Sequence, residues 1–485
     1  MSAAPIQANV WRRSYGLERV IVFGMPTSLT EIIAAQRAAF VRDGAPSVDA
    51  RRADLARLKR MLLDHRVAIC RAISDDFGHR SDQETLLSDL FPSVAGIDHL
   101  RRHVRRWMRP DRRSVIWYFR PARARVIYQP LGVVGIIAPW NYPLFLAFLP
   151  MAAAIAAGNR VMLKPSEFNP ATATLLEKLL GAIFPVEQVA IVMGGPDVGA
   201  AFSRLPFDHL FFTGSTAVGR QVMQAASEHL VPVTLELGGK SPAIVERGYP
   251  IERAAHGIAT GKLFNAGQTC IAPDYALVPV EQMERFVGEI TTAMRRLYPT
   301  ITENPDYTSI INDGHFNRLN GLVADARAKG ARVIEVGAGS GRFIPPTLLT
   351  GVTDEMAVMQ EEIFGPLLPI VAYRDLDEAI AYVNAHPRPL ALYFFGENGA
   401  GQRAVLKRTT SGGVTLNDTL LHVVQENLPF GGVGPSGMGA YHGHEGFKTF
   451  SHAKAVFSQS RMSVISLLRP PYGRTFEQMM RFLLR

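Results

Sequence analysis

Residues 133–137 read Val133-Val134-Gly135-Ile136-Ile137, a continuous apolar run of the kind found in strands that are covered on both faces. An alanine-rich helix is predicted next, from Leu144 to Ala157, and a second strand follows at 161–163. The alternation continues with a helix over 170–183, strands at 189–192 and 209–212, a helix over 216–228 and a strand over 233–236. Repeated β-α-β units predict an α/β fold with an open, mostly parallel sheet, which binds ligands outside the carboxyl ends of its strands.

Four candidate ligand-binding residues fall at the ends of these strands: Asn141 after the first, Lys164 after the second, Gly214 after Phe212, and Glu236 at the end of the last. Gly214 lies in the turn Phe212-Thr213-Gly214-Ser215-Thr216-Ala217-Val218-Gly219, where free backbone N–H groups at a helix start could face a pyrophosphate. Neither G-x-G-x-x-G nor G-x-x-x-x-G-K-[ST] occurs at a strand end, and an ordinary tight turn shows the same glycine spacing. The segment Lys164-Pro165-Ser166-Glu167 adds a cation and a carboxylate that suit ribose hydroxyls.

One of the two cysteines, Cys270, ends the small-residue loop Gly267-Gln268-Thr269-Cys270, where a substrate can approach the thiol. A nucleophilic thiol and a carboxylate base such as Glu236 are the minimum for covalent acyl chemistry. A buried cysteine and a turn glutamate would look the same if they stood alone. The other cysteine, Cys70, lies on a predicted helix with an apolar stripe at Leu55, Leu58, Leu62, Ile69 and Ile73, so we interpret it as structural.

Composition argues against a disulfide-rich or membrane-spanning protein. The chain has 485 residues, 47% hydrophobic and 20% charged, which predicts more than one globular domain. Two cysteines cannot form a disulfide framework, so we expect a reducing compartment and a cytoplasmic protein. Residues 1–9 lack the features of a secretory signal, and the longest apolar run, 144–157, is too short to span a membrane.

The net charge of +9 raises the question of a nucleic-acid partner. Its arginines cluster in Arg101-Arg102-His103-Val104-Arg105-Arg106 and at Arg112-Arg113, with no nucleic-acid-binding module around them. We therefore interpret the first cluster as a solvated helix face and the second as its exit loop. No nucleic-acid partner is expected.

From about residue 31 to 456 the chain resembles the NAD(P)-dependent aldehyde dehydrogenase superfamily. Seven segments match in the family's order: Pro139-Trp140-Asn141-Tyr142-Pro143, Lys164-Pro165-Ser166-Glu167, Phe212-Thr213-Gly214-Ser215, Leu235-Glu236-Leu237-Gly238-Gly239-Lys240-Ser241-Pro242, Gly267-Gln268-Thr269-Cys270, Glu361-Glu362-Ile363-Phe364-Gly365-Pro366 and Pro429-Phe430-Gly431-Gly432-Val433-Gly434. Residues 271–275 and 436–443 look like the class 3 branch, and within it the chain looks most like bacterial coniferyl aldehyde dehydrogenases.

The resemblance implies a role for each matching residue. Cys270 would attack the aldehyde carbonyl, Asn141 and the Cys270 backbone N–H would hold the oxyanion, and Glu236 would activate water to hydrolyse the thioester. Cofactor binding falls to Trp140, Lys164, Glu167, Thr213, Gly214, Ser215, Val218, Gly219, Glu362 and Phe364. Trp140 and Phe364 are equally consistent with plain core aromatics. No metal is implied, and Glu167 predicts NAD⁺ as the preferred cofactor, with NADP⁺ weaker.

The resemblance also implies an aldehyde dehydrogenase-like division of the chain. Residues 1–30 would be an N-terminal extension, 31–236 a Rossmann-type NAD-binding domain, 237–417 a catalytic α/β domain and 457–485 a tail. A protruding hairpin at 119–131 would join residues 430–456 in a β oligomerisation element of a homodimer. The tail has no apolar anchor, although Phe476, Met479, Met480, Phe482 and Leu483 leave an amphipathic surface association open.

Several activities compete with hydrolytic aldehyde oxidation. A CoA-acylating dehydrogenase would not need Glu236 as a base, a cysteine hydrolase would need a histidine partner, and a retired structural member would be expected to lose the thiol or the base. Phe264, Tyr142, Ile271 and Phe430 predict an apolar access tunnel. That tunnel favours an aromatic aldehyde such as coniferaldehyde, with medium- or long-chain fatty aldehydes as the alternative.

Overall fold

The computed structural model describes residues 20–22, 25–397, 399–461 and 464–484. Their strands are β1 (Val20–Val22), β2 (Met25–Thr27), β3 (Asp111–Arg113), β4 (Arg123–Pro130), β5 (Val133–Ile137), β6 (Arg160–Lys164), β7 (Val189–Ile191), β8 (His209–Thr213), β9 (Val233–Glu236), β10 (Pro242–Val245), β11 (Tyr275–Pro279), β12 (Arg332–Glu335), β13 (Thr347–Thr350), β14 (Leu367–Tyr373), β15 (Ala391–Phe395), β16 (Gly413–Leu416), β17 (Gly437–Met438) and β18 (Ser451–Ser458).

The α-helices of the same residues are α1 (Leu29–Asp43), α2 (Val48–Asp64), α3 (Arg66–Phe77), α4 (Asp82–Thr85), α5 (Phe91–Trp107), α6 (Phe145–Ala157), α7 (Pro170–Ile183), α8 (Pro196–Ser203), α9 (Thr216–Ser227), α10 (Ile251–Leu263), α11 (Met283–Leu297), α12 (Asp313–Ala328), α13 (Ala357–Gln360), α14 (Leu376–Ala385), α15 (Gly399–Arg408), α16 (Gly443–Thr449) and α17 (Arg474–Leu483). None of the helices in these described ranges is long and apolar enough to cross a membrane.

The first large sheet has the order β17-β9-β8-β5-β6-β7. Strands β5 to β9 pair in parallel, which confirms the predicted α/β fold and each predicted strand of this region. The two-residue strand β17 was not predicted, because so short a strand carries no period. It pairs antiparallel with β9 and places Gly437 opposite Glu236.

The second large sheet has the order β12-β13-β14-β11-β10-β15-β16, and only β12 runs antiparallel to its neighbour. Its strands fall within the range 237–417 that was assigned to a catalytic domain. The continuous apolar runs of β10, β11 and β15 are buried on both faces, as the helices on either side require. The boundaries of the domains themselves stay a prediction.

A small antiparallel sheet of order β18-β4-β3 replaces the predicted hairpin at 119–131. Within that range only β4 is a strand, and its partners are Asp111–Arg113 and Ser451–Ser458. Arg112 and Arg113 therefore lie in an edge strand and not in an exit loop. The run Asp-Arg-Arg has no apolar alternation, so the sequence pattern did not show the strand.

The predicted helices of the first half pack their apolar stripe inward. The stripe consists of five fully buried residues, Leu55, Leu58, Leu62, Ile69 and Ile73. They belong to two helices, because α2 ends and α3 begins at His65. Arginines 102, 105 and 106 of α5 are exposed opposite buried residues 100 and 104, which confirms the solvated face. Helix α6 is buried along its whole length and forms the centre of this half of the molecule.

The two ends of the chain depart from their predictions in different ways. Residues 1–19 of the predicted extension lie outside the described residues, and its residues 20–22 and 25–27 form the antiparallel strands β1 and β2. In the tail, helix α17 lies on the surface, with the Phe482 ring edge-on to Trp117 at a centroid distance of 6.2 Å. Association of this helix with a membrane surface stays a prediction.

Candidate active site

One cleft of about 1050 Å³ runs along the carboxyl ends of β5, β6, β8 and β9 and reaches the Cys270 loop. It brings together twelve of the thirteen predicted site residues: Asn141, Glu236, Cys270, Trp140, Lys164, Glu167, Thr213, Gly214, Ser215, Val218, Glu362 and Phe364. The predicted strand ends therefore meet at one edge of the sheet, as parallel strands require. Only Gly219 lies outside the lining of the cleft.

The loop before Cys270 has a left-handed backbone conformation. Residues Asn265, Ala266 and Gly267 all have positive φ angles, of 52°, 50° and 75°. A side chain at Gly267 would collide with the carbonyl of Gly365, so this position admits only glycine. The loop leaves the Cys270 side chain half-buried at the wall of the cleft, where a ligand can reach the thiol.

The surroundings of Cys270 oppose its ionisation in the ligand-free state. Burial raises the pKa of the thiol, and the negative charges of Glu362 and then Glu236 raise it further. The backbone N–H groups of Cys270 and Ile271 act in the other direction, since they favour the thiolate. The thiol is therefore protonated at neutral pH and needs a base before it can act as a nucleophile.

The carboxyl group of Glu236 is buried at the end of a strand. Glu236 ends β9, its side chain is only 2% exposed, and neither carboxyl oxygen has a hydrogen-bond partner among the described residues. Burial raises the pKa of Glu236 well above its ordinary value. A buried, unsatisfied carboxyl is costly for the fold, and such groups concentrate where chemistry requires them.

Asn141 lies across from the thiol loop, and both its side chain and its backbone are held. Its side-chain Nδ2 donates to the carbonyl of Gln268 over 3.1 Å, which leaves the second amide hydrogen for a ligand. The backbone carbonyl of Asn141 accepts hydrogen bonds from Arg80 Nη1 at 3.0 Å and from Asn265 Nδ2 at 3.1 Å. The next residue, Tyr142, bonds the hydroxyl of Thr269 at 2.6 Å, so the two segments are joined on both sides of the cysteine.

The other half of the cleft carries groups that suit a dinucleotide. Lys164 is 3% exposed and pairs through Nζ with Glu167 Oε2 at 2.9 Å, while Glu167 is exposed. The buried Thr213 hydroxyl has no hydrogen-bond partner within the described chain. Ser215 caps α9 by accepting from Val218 N, and the N–H of Gly214 already donates to the Glu236 carbonyl at 3.0 Å. The free amides of this turn are those of the first residues of α9.

Gly219 has a packing role in this structure. Its N–H donates to the Ser215 carbonyl at 2.9 Å, inside the first turn of α9. A Cβ atom at this position would lie 2.7 Å from Leu237 Cδ2, so glycine lets the helix approach the strand end. The glycine of the sequence motif thus supports the cleft from behind.

Glu362, Phe364 and Trp140 form the wall near the thiol. Glu362 lies against Gly238, and burial, followed by the charge of Asp274, raises the pKa of Glu362 to about 8. Phe364 stands edge-on to Trp140 at a centroid distance of 5.3 Å, and Trp140 also packs on His315 at 5.0 Å. The two rings are half-buried and line the cleft, so they pack on each other and face a ligand as well.

The far end of the cleft was not predicted. It is formed by one side of α8 and one side of α9, where Ser203, Gln221, Gln224 and Ala225 line the wall. An ion pair between Arg204 and Glu228, 2.6 Å long, lies at the same end. These mostly polar residues follow helical spacing and resemble an ordinary solvated helix face, so only the packing of the helices on the sheet shows that they line a cleft.

The four residues of the predicted apolar tunnel are placed around the thiol loop. The rings of Tyr142 and Phe264 stack at a centroid distance of 6.5 Å, and Phe430 stacks on His442 at 5.2 Å. Tyr142, Ile271 and Phe430 are buried, and Phe264 is half-buried. A tunnel between them stays a prediction.

Comparison with known proteins places this architecture in one family. The model of the "Aldehyde dehydrogenase family" matches residues 24–456. The "Probable coniferyl aldehyde dehydrogenase" of Pseudomonas aeruginosa is 55% identical, over 93% of this chain and 95% of that protein. Among solved structures, the substrate-bound state of Staphylococcus aureus AldH superposes with a TM-score of 0.90 at 38% identity, covering 94% of this chain and 99% of that one. A Mycobacterium tuberculosis aldehyde dehydrogenase complexed with NAD⁺ superposes with a TM-score of 0.81 at 28% identity, covering 92% and 95%.

Proposed function

The chain belongs to the aldehyde dehydrogenase family, and on that premise we propose that it oxidises an aromatic, hydrophobic aldehyde such as coniferaldehyde to the carboxylic acid, with NAD⁺ as its preferred cofactor. As a member of that family the protein is an oxidoreductase that uses NAD(P)⁺. The observation that carries the proposal is the cleft itself. In it a thiol, an amide with one free hydrogen and a carboxyl that has no hydrogen-bond partner among the described residues lie beside groups that suit a dinucleotide.

The residues present fit an NAD(P)⁺ molecule. The cleft holds the buried cation Lys164, the exposed carboxylate Glu167 and the hydroxyl of Thr213, which has no partner in the described ranges. In the proposal Lys164 and Glu167 hold the adenine-side ribose, and the turn from Thr213 to Val218 faces the pyrophosphate. Glu362 holds the nicotinamide-side ribose. Bound NAD(P)⁺ supplies the two-electron acceptor of the oxidation.

Cys270 forms the covalent bond to the substrate. Its proton leaves to solvent water, the Sγ–carbon bond forms between the thiolate and the carbonyl carbon, and the carbonyl electron pair moves onto oxygen. Asn141 Nδ2, through its second hydrogen, and the Cys270 N–H donate to that oxyanion. Removal of one such donor lowers kcat by about 10²–10³-fold.

Glu236 completes the reaction after oxidation has produced a thioester on Cys270. Its carboxylate takes a proton from water, whose oxygen attacks the thioester carbonyl. The carbon–sulfur bond then breaks, the thiol is protonated again and the carboxylic acid leaves. Burial raises the pKa of Glu236, which makes its carboxylate a stronger base toward water than that of an exposed glutamate.

Two further parts of the proposal concern the substrate and the assembly. The aromatic substrate is supported by the relative from Pseudomonas aeruginosa and by the aromatic residues Tyr142 and Phe264 beside the thiol loop. A cytoplasmic homodimer is supported by the two free cysteines and by the small sheet, whose strand β18 exposes Phe457. Light scattering on the purified protein measures the mass of the assembly.

Formation of NADH tests the proposed activity. With NAD⁺ and without CoA, we expect a rise of absorbance at 340 nm with coniferaldehyde and benzaldehyde, and lower kcat/KM with hexanal and succinic semialdehyde. Cys270→Ala abolishes the signal. Cys70→Ala is the matched control, because Cys70 is buried in α3 and its pKa is raised to about 11. NADH formation by Cys270→Ala, or strict dependence of the wild type on CoA, would contradict the mechanism.

A further inference from the structure

The loop before Cys270 is held in a backbone conformation that its sequence does not favour. Asn265 and Ala266 are not glycines, yet both adopt left-handed φ angles, of 52° and 50°. This conformation costs roughly 1–2 kcal/mol for most residues with a side chain, such as Ala266, whereas asparagine adopts it more readily. It persists only where the surrounding structure imposes it, and such positions concentrate at functional sites.

The contacts that impose this conformation start at Glu84, in the short helix α4. Its carboxylate accepts the backbone N–H of Asn265 and the hydroxyl of Thr308. The side-chain Nδ2 of Asn265 then donates to the carbonyls of Asn141 and Gln268, at 3.1 Å each. Glu84 is therefore linked through one residue both to the amide residue and to the cysteine loop.

The same network is anchored at its other ends. Arg80, paired with Asp89 at 3.0 Å, donates to the Asn141 carbonyl at 3.0 Å, and both charged side chains are fully buried. Gln268 donates to the Ser309 carbonyl and accepts from Ile311 N, at 3.1 and 3.0 Å. Within the described part of the chain, the Asn265 N–H contact with Glu84 ties the left-handed part of the loop to a carboxylate.

We propose that Glu84 is a positioning residue for the reaction. It acts through Asn265 and sets the distance between the Cys270 thiol and the Asn141 amide. The proposal rests on the function above, in which those two groups act on one carbonyl. Glu84 lies outside the lining of the cleft, so it touches neither substrate nor cofactor. A displacement of about 1 Å between reacting groups lowers a rate by about 100-fold.

Two variants at position 84 separate positioning from general stability. Glu84→Ala removes the acceptor of the Asn265 N–H. Glu84→Gln keeps it, because its amide oxygen accepts that N–H while its NH₂ group donates to Thr308 Oγ1. Asn159→Ala is the matched control: Asn159 is equally buried and makes four hydrogen bonds to backbone groups, but at the opposite, amino end of the same sheet.

We measure single-turnover NADH formation, NAD⁺ binding and amide hydrogen exchange of residues 264–272. In Glu84→Ala we expect a 10- to 100-fold slower turnover, faster exchange of the loop and an unchanged Kd for NAD⁺. Glu84→Gln stays within threefold of the wild type, and Asn159→Ala lowers the melting temperature without either effect. If Glu84→Ala does not fold, Thr308→Val, which removes one donor to Glu84, gives a smaller loss of the same kind.

These measurements distinguish a positioning role of Glu84 from a general effect on stability. Wild-type turnover in Glu84→Ala, or a Glu84→Gln variant as slow as Glu84→Ala, overturns the positioning role. Equal losses of turnover in Glu84→Ala and Asn159→Ala also overturn it, because they reduce the effect to stability. If the wild type forms no NADH, the proposed function fails, while hydrogen exchange of the loop still tests whether Glu84 holds it.

Discussion

Glu362→Gln tests the electrostatics of the cleft in the ligand-free protein. Burial raises the pKa of Glu362 from the ordinary 4.5 to about 8. Between these two values the unfolded chain has lost a proton that the folded protein still binds, so stability falls as pH rises. The contribution of Glu362 is therefore fully present below pH 4.5 and lost by about pH 8. Glutamine is neutral in the folded and in the unfolded protein, so the Glu362→Gln variant does not undergo this fall in stability with rising pH.

The size of the effect follows from the same pKa difference. At about 1.4 kcal/mol for each pH unit, the interval from 4.5 to about 8 sets an upper limit of about 5 kcal/mol. Glu362 is only half-buried and water reaches it, so we expect about half of that limit, or 2–3 kcal/mol. At pH 8 the variant is more stable than the wild type by this amount, and at pH 5 the difference nearly disappears.

Urea unfolding without cofactor, at pH 5 and pH 8, measures this difference. Glu361→Gln is the matched control, because the neighbouring Glu361 is exposed and pairs with Arg318 on the surface at 3.0 Å. We expect the control to change the free energy of unfolding by less than about 1 kcal/mol at either pH. A Glu362→Gln variant that is less stable than the wild type at pH 8, or equally stabilised at both pH values, would refute the reasoning.

Three further predictions concern the reaction. In Glu236→Gln we expect a burst of NADH followed by a slow steady rate, because the base for thioester hydrolysis is lost; wild-type turnover would show that another group activates water. The same Glu236→Gln change removes a negative charge that raises the pKa of Cys270, so alkylation of the thiol by iodoacetamide shifts to lower pH than in the wild type, and an upward shift would contradict this. Glu167→Gln should narrow the preference for NAD⁺ mainly through a lower KM for NADP⁺, since a 2′-phosphate no longer meets a carboxylate; an unchanged ratio of kcat/KM values counts against that role.

The sequence alone was sufficient for much of the fold, because its evidence is local. Strand β5 is a continuous apolar run, helix α6 is an alanine-rich apolar segment, and the polar residues Lys164 and Glu236 lie at the ends of strands. Parallel strands end at the same edge of a sheet, so the meeting of these residues in one cleft follows from the order of elements. The motif Gly267-Gln268-Thr269-Cys270 identifies the Cys270 loop by itself, because it is a run of neighbouring residues.

The tertiary structure decided what depends on residues far apart in the chain. The pairing of β17 with β9 and of β3 with β4 and β18 joins segments too short to show a period. The raised pKa of Glu236 comes from burial, which a sequence motif does not express.

Glu84 shows most clearly that a contact between distant residues cannot be predicted from local sequence. In sequence, Ser81-x-x-Glu84 looks like an ordinary helix capping box, and Ser81 does accept from the Glu84 N–H. Its carboxylate turns instead to Asn265, 181 positions along the chain. Local patterns specify helices and strands because neighbouring residues share one period, whereas a buried hydrogen bond between distant residues exists only after the packing has brought donor and acceptor together.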